Sequence, residues 1–158
     1  LKLTAKEEID APIGFVNALL TDFDKWEGSA RTRGAEVDRL DSLAQPGPGM
    51  NWRLGFDFRG KRRAATLRLL SLTPEQEMTL ECLSKPGNGV TTVEMTAIGA
   101  ARTRLVISTE IKPNTLAARL FLKSLRLAKA KVNQRFRQQL IKAAAGIEDR
   151  YRKQAKSV

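Results

Sequence analysis

NTLAARLFLKSLRLAKAKVNQRFRQQLIKAAAGIEDRYR, residues 114–152, carries apolar side chains three or four positions apart at Phe121, Leu125, Ala128, Val132, Phe136, Leu140, Ala143 and Ile147. That spacing predicts one long helix with a single apolar stripe, and Asn114 or Thr115 offers an oxygen to cap its first turn. Unbroken, the helix would measure about 55–60 Å at a rise of about 1.5 Å per residue, longer than a domain of this size is wide. Its end should therefore fray or protrude, and Gly146 is the expected weak point. One terminal helix with one apolar face needs a sheet to lie against, and the preceding residues must supply it.

They do so almost without interruption. Leu1 to Ile9 alternates apolar and polar residues, and Pro12 then opens a short helix whose Phe15, Val16, Leu19 and Leu20 recur at helical spacing. Asp22 caps a second short turn, Phe23 to Trp26. Gly34 to Leu43 is a weaker strand signal, followed by a loop at Gln45-Pro46-Gly47-Pro48-Gly49. The clearest strand comes next, with Trp52, Leu54, Phe56 and Phe58 on one face and Asn51, Arg53, Gly55, Asp57 and Arg59 on the other. Gly60-Lys61 reads as a hairpin tip, and Arg63 to Leu69, Met78 to Ser84, Val90 to Ile98 and Thr103 to Ile111 complete about seven strands. The fold class is α+β: a curved antiparallel sheet, two short helices near the N-terminus and one long C-terminal helix. The domain spans residues 1–152, and residues 153–158 form a basic tail expected to fray.

Composition narrows the chemistry. The 158 residues suit one domain that buries roughly two thirds of its unfolded surface. A single cysteine, Cys82, excludes an internal disulfide and a multi-cysteine metal site, so a reducing compartment, the cytoplasm, fits best. No stretch approaches the roughly 18 apolar residues of a membrane span. Histidine is absent, which removes the commonest neutral-pH base, the commonest metal ligand and the usual activator of a serine or cysteine nucleophile. Neither a metal nor another cofactor is implied. The formal charge of +11 is concentrated at the C-terminal end: residues 1–114 hold 16 Lys/Arg against 15 Asp/Glu, and residues 115–158 hold 12 against two. A one-signed field of this kind attracts anionic partners, and Arg119, Lys123, Arg126 and Arg137, well away from the apolar stripe, form an anion-binding surface for an anionic membrane or an acidic protein. The same face is equally compatible with simple solvation. Nucleic acid fits poorly, because no exposed aromatic platform or recognition helix accompanies the charge.

The order of elements resembles the helix-grip fold of the SRPBCC superfamily, which includes START-related lipid-transfer domains, birch-pollen-allergen-like proteins and a polyketide cyclase/dehydrase-like group. The likeness is carried by Ile9-Asp10-Ala11-Pro12 leading into Phe15-Val16 and Leu19-Leu20, and by Asp22-Phe23-Asp24-Lys25-Trp26. Gly47-Pro48-Gly49-Met50-Asn51-Trp52, Arg102-Thr103-Arg104-Leu105 and the terminal helix extend it from Leu1 to Tyr151. The resemblance implies a cavity between sheet and helix and activities ranging from hydrophobic-ligand carriage to ring cyclisation. No catalytic signature of the family is present to carry over, and its histidine-dependent enzymes are excluded as templates.

A cavity of this kind would be walled by alternate strand residues and the helix stripe. The candidate ligand-binding residues are Trp52, Leu54, Phe56, Leu67, Leu69, Leu80, Cys82, Val93, Met95, Leu105, Ile107, Leu125, Val132 and Phe136, each of which could instead simply fill core. Trp52 is placed either to stack on a planar ligand or to anchor a helix by its area, and Trp26 to plug the end of the sheet. The expected function is non-catalytic binding of a hydrophobic or amphipathic small molecule, lipid-like or polyketide-like. The enzymatic alternative, a cyclase or dehydrase, needs Asp57, Glu81, Glu94 or Glu110 inside the cavity with a raised pKa; Arg53, Arg68 and Arg104 are their expected cross-strand partners if they lie outside.

Overall fold

The computed structural model describes residues 1–156. Strand β1 (Lys2–Ile9) is followed by helices α1 (Ile13–Leu20) and α2 (Phe23–Thr32). Six further strands follow: β2 (Glu36–Arg39), β3 (Asn51–Phe58), β4 (Lys61–Thr73), β5 (Glu77–Ser84), β6 (Gly87–Gly99) and β7 (Arg102–Pro113). Helices α3 (Leu116–Leu127) and α4 (Lys129–Lys156) end the described chain. The strands form one antiparallel sheet in the order β1-β7-β6-β5-β4-β3-β2. Short turns make neighbours of β3 to β7 and a longer connection, residues 40–50, joins β2 to β3, whereas β1 pairs with β7 at the far edge, so α1 and α2 must carry the chain from one edge to the other. This is the helix-grip arrangement.

Residues directly opposite across paired strands share a face. Ala5 faces Ile107, which faces Val93, which faces Met78; Trp52 faces Leu67, which faces Cys82. These side chains make up the inner face, and the buried cluster joins it to Val16, Phe23, Leu140, Ala144 and Ile147 of the helices. At the end occupied by α1 and α2, Trp52 is wholly buried and its indole N–H donates to Glu27 Oε1 at 2.7 Å. The Phe23 and Trp26 rings pack on Trp52 at 5.5 and 5.6 Å, with the Arg39 guanidinium 5.7 Å from its centre. Tyr151 meets Phe15 edge to face at 5.2 Å, and Glu148 accepts from the Asp10 N–H at 3.0 Å, so the C-terminal part of α4 is tied to α1 and the end of β1.

Several boundaries differ from the sequence expectation, each for a local reason. Helix α2 runs to Thr32 rather than stopping at Trp26, because the inward residue of its next turn is an acid, Glu27, which a search for apolar periodicity passes over. The hairpin tip is Arg59-Gly60, both at positive φ (53° and 73°), as a two-residue turn of mirror-image type requires, so Lys61 already pairs with Phe58. Strand β6 starts at Gly87, within the expected loop; a Cβ there would stand 2.9 Å from the Lys112 carbonyl oxygen, an approach only glycine permits.

The terminal helix is not continuous. It breaks at Ala128 (φ −107°, ψ 28°), whereas Gly146 lies inside the regular α4. By helical phase, an unbroken helix would aim Lys129 at the sheet between Leu125 and Phe136; the break leaves Lys129 exposed. Packing of Ala144 and Ile147 beside Gly146 offsets the roughly 1 kcal/mol that glycine costs a helix. The sheet-facing stripe is shifted as well: Leu122 and Ala144 are buried, whereas Phe121, Ala128 and Ala143 are exposed. Ala143 and Ala144 flank the line through Leu140 and Ile147 about equally, so only the docking of α4 along β1 selects between them. The tail expected to fray is helical through Lys156; residues 157–158 lie outside the described residues.

The β2–β3 connection is held by Asp41, which accepts from Arg39 Nε at 2.7 Å and Nη2 at 2.9 Å and from the Asn51 and Leu43 N–H groups at 2.9 and 3.0 Å. The Arg39 hydrogen bonds, opposed by burial and aided by the two backbone donors, hold its carboxyl far below the ordinary carboxylate range. The unfolded chain therefore binds this proton first as pH falls, so the stability from Asp41 is complete above about pH 4 and is lost progressively below it. Urea titrations at falling pH should show this loss in the natural chain and a flatter profile in Asp41→Asn. Equal acid sensitivity of the two would show that Asp41 does not contribute it.

Candidate functional site

Burial on the inner face is uneven, and directly paired neighbours differ in it. Trp52, Leu69, Val93, Met95 and Leu105 are at most 6% exposed. These five expected ligand-binding residues are core. Trp52 in particular has no free ring face for a ligand, and it anchors α2 through area and its N–H together. Trp26, expected as a plug, rests on Trp52 and remains 38% exposed.

Leu54 and Phe56, nearer the β3–β4 tip, are only half-buried, and so are Leu67, Leu80, Cys82 and Ile107, the direct neighbours of buried residues, as well as Leu125, Val132 and Phe136 on the helices. All fourteen expected residues lie on the inner face or the sheet-facing helix stripe, and the structure divides them between fully buried and half-buried positions. Helix α4 lies along β1 at one edge and α3 runs over β7, so β3 to β5 have no helix pressed closely against them. Burial pushes the Cys82 thiol pKa up, so it behaves as an apolar wall residue rather than a nucleophile. A depression of about 390 Å³ between α2 and the edge of β3, lined by Trp26, Arg33, Phe56 and Asp57, adjoins the inner face at Phe56. It is shallow and partly charged.

The groove contains polar groups that apolar patterning did not reveal. The Thr91 and Thr109 hydroxyls bond to one another at 2.9 Å across β6 and β7. Asn133 Oδ1 and Arg63 Nε are buried without a hydrogen-bond partner. Arg63 faces the same side as Phe56, and Asn133 lies three residues before Phe136 and seven before Leu140, on the sheet-facing line of α4. A polar residue on an apolar line was readable in the sequence; that its oxygen is unpaired was not.

The acids lie elsewhere. Asp57, Glu81, Glu94 and Glu110 all project from the outer face, opposite Arg62, Arg68, Val106 and Val90 respectively. Asp57 meets Arg62 at 3.3 Å and Glu81 meets Arg68 at 3.6 Å, exposed pairs each worth at most about 1 kcal/mol. Arg104, expected to partner one of these acids, instead bonds Glu8 at 3.3 Å. A cyclase or dehydrase that moves protons through one of these four carboxylates is therefore ruled out by their direction. On the inner face, Glu27 is committed to Trp52. Among the described residues no group of acids and Cys82 is disposed to hold a metal ion, and no helix is long and apolar enough to cross a membrane.

Comparison with known proteins assigns the architecture. Residues 1–148 match the family described as polyketide cyclase / dehydrase and lipid transport. The chain belongs to that family. No curated protein matches this cyclase/lipid-transport family member in sequence. Among solved structures it is similar to the Zhui aromatase/cyclase from Streptomyces sp. R1128, at 18% identity and a TM-score of 0.63 over 92% of this chain and 93% of that one. It is likewise similar to a START superfamily protein from Mycobacterium smegmatis, at 11% identity and 0.56 over 87% and 98%. A third similar structure is TTHA0849 from Thermus thermophilus, at 19% and 0.59 over 96% and 97%. At these identities the likeness is one of fold; the family match over residues 1–148 is what assigns the chain to the SRPBCC superfamily.

Proposed function

We propose that the protein binds a hydrophobic or amphipathic small molecule, lipid-like or polyketide-like, in the groove between β3–β5 and the two terminal helices, without catalysing a reaction. The supporting observation is the row of half-exposed apolar side chains on the inner face, Leu54, Leu67, Leu80 and Cys82, beneath Leu125, Val132 and Phe136. Apolar surface left accessible in a recess marks a binding site more often than it marks poor packing. The unpaired Asn133 and Arg63 atoms favour a ligand with a polar end, because each buried orphan costs about 1–3 kcal/mol until something hydrogen-bonds to it. The outward direction of Asp57, Glu81, Glu94 and Glu110 and the absence of histidine support carriage over chemistry.

Cys82, the only cysteine, lies in the proposed wall and reports on occupancy. Oleate, or an anthraquinone as the polyketide-like probe, should slow iodoacetamide labelling of Cys82 about tenfold at a concentration ten times its Kd. Organic extraction of the purified protein should release a co-purifying apolar compound. If neither probe protects the thiol and extraction yields nothing, the groove is not a binding site.

A further inference from the structure

Helix α3 is apolar on two opposite sides. Leu122 and Leu125 turn toward the sheet, yet Leu116, Leu120 and Leu127 point the other way and are 70%, 59% and 90% exposed. At about 100° per residue these three lie within roughly 40° of one another, a second stripe that the fold leaves uncovered. Arg119, Lys123 and Arg126, all exposed, border it along one side. No Asp or Glu occurs from Ile111 to Ile147. The hairpin tip extends the same surface: the Arg59 guanidinium lies 5.5 Å from the Phe58 ring centre and 4.9 Å from that of Phe121, and both rings are about half exposed.

From this we infer that α3 and the β3–β4 tip dock on the surface of an anionic lipid bilayer, with Leu116, Leu120 and Leu127 entering the headgroup–acyl boundary and Arg119, Lys123 and Arg126 meeting lipid phosphates. Two features decide between polyanions. Basic side chains alone would suit a nucleic acid or an acidic protein, but such a partner would leave three adjacent leucines in water. A helix bearing leucines beside arginine and lysine satisfies both sets of groups at the depth where acyl chains meet phosphates. The break at Ala128 sets α3 apart from α4, so its outward stripe is a surface of its own. Docking here does not depend on what the groove holds, although it would bring the open end of the groove to the lipid.

The test is co-sedimentation of the full chain, stripped of extractable apolar compounds, with phosphatidylcholine vesicles with and without phosphatidylglycerol. Binding is expected only with the anionic lipid, and it should weaken at least about tenfold between about 0.05 and about 0.3 M salt. The triple reversal Arg119→Glu, Lys123→Glu, Arg126→Glu should weaken it on the order of 100-fold, and Leu120→Gln with Leu127→Gln at least about tenfold. All five positions are exposed, so circular dichroism and thermal melting should match the natural chain; Leu127→Gln alone serves if the double variant does not fold. Equal binding to neutral vesicles, or no vesicle binding, overturns the inference. Full binding by the leucine variants with loss in the charge variants overturns it as well, because the leucines then do not enter the lipid. Cys82 protection is read without vesicles, so failure of docking leaves the groove untouched and failure of the groove leaves docking untouched.

Discussion

Trp52→Ala should lower unfolding stability by about 3–5 kcal/mol, a large part of the roughly 5–15 kcal/mol typical of a domain. The side chain is the largest of those fully buried, and its removal opens a cavity beneath α2 that Phe23 and Trp26 cannot both fill. It also removes the donor to Glu27, a carboxylate only 8% exposed. Trp52→Phe should recover much of the lost area but not the hydrogen bond, and so should remain about 2 kcal/mol below the natural chain. Glu27→Gln keeps an oxygen acceptor and should cost least. Urea unfolding followed by circular dichroism gives the three values. A loss under about 1 kcal/mol for Trp52→Ala would mean that α2 is not anchored by this residue.

Leu80→Asp should abolish binding of an apolar ligand, weakening probe protection of Cys82 at least about 30-fold, because the ligand would have to strip water from a carboxylate. Leu80 faces inward between Leu69 and Thr91 and is half-buried, so the new charge can still reach water in the empty groove and the fold should lose only about 1–2 kcal/mol. Thr66→Asp is the matched control. Thr66 sits on the outer face opposite Arg53, where the same charge enters without touching the groove. Equal protection by oleate in the natural chain and in Leu80→Asp would place the ligand elsewhere, the depression at Trp26 and Phe56 being the alternative.

The strands and their facing were legible because a half-buried antiparallel strand alternates with a period of two, and Trp52-Leu54-Phe56, Leu67-Leu69 and Met78-Leu80-Cys82 keep that period. The inner-face membership of the expected site residues follows from it directly. Their division into buried and half-buried positions does not, since Leu69 and Leu67 are identical in type and differ only in how closely other elements pack over them. Glu27 shows the converse failure: an acid at an inward position carries no apolar signal, and its meaning appears only with Trp52 beside it. The stripe reads as continuous through Ala128, yet the helix breaks there and leaves Lys129 exposed.

Local periodicity and turn chemistry therefore determined the element order, the antiparallel pairing and the side of the sheet each residue faces, since these depend on neighbours a few positions away. Tertiary structure alone decided how far α3 and α4 cover the sheet and which leucines of α3 are left in water. Those outcomes depend on where two rigid elements come to rest against each other, and residues distant in sequence set that position: Tyr151 against Phe15, Glu148 against Asp10 and Arg59 against Phe121.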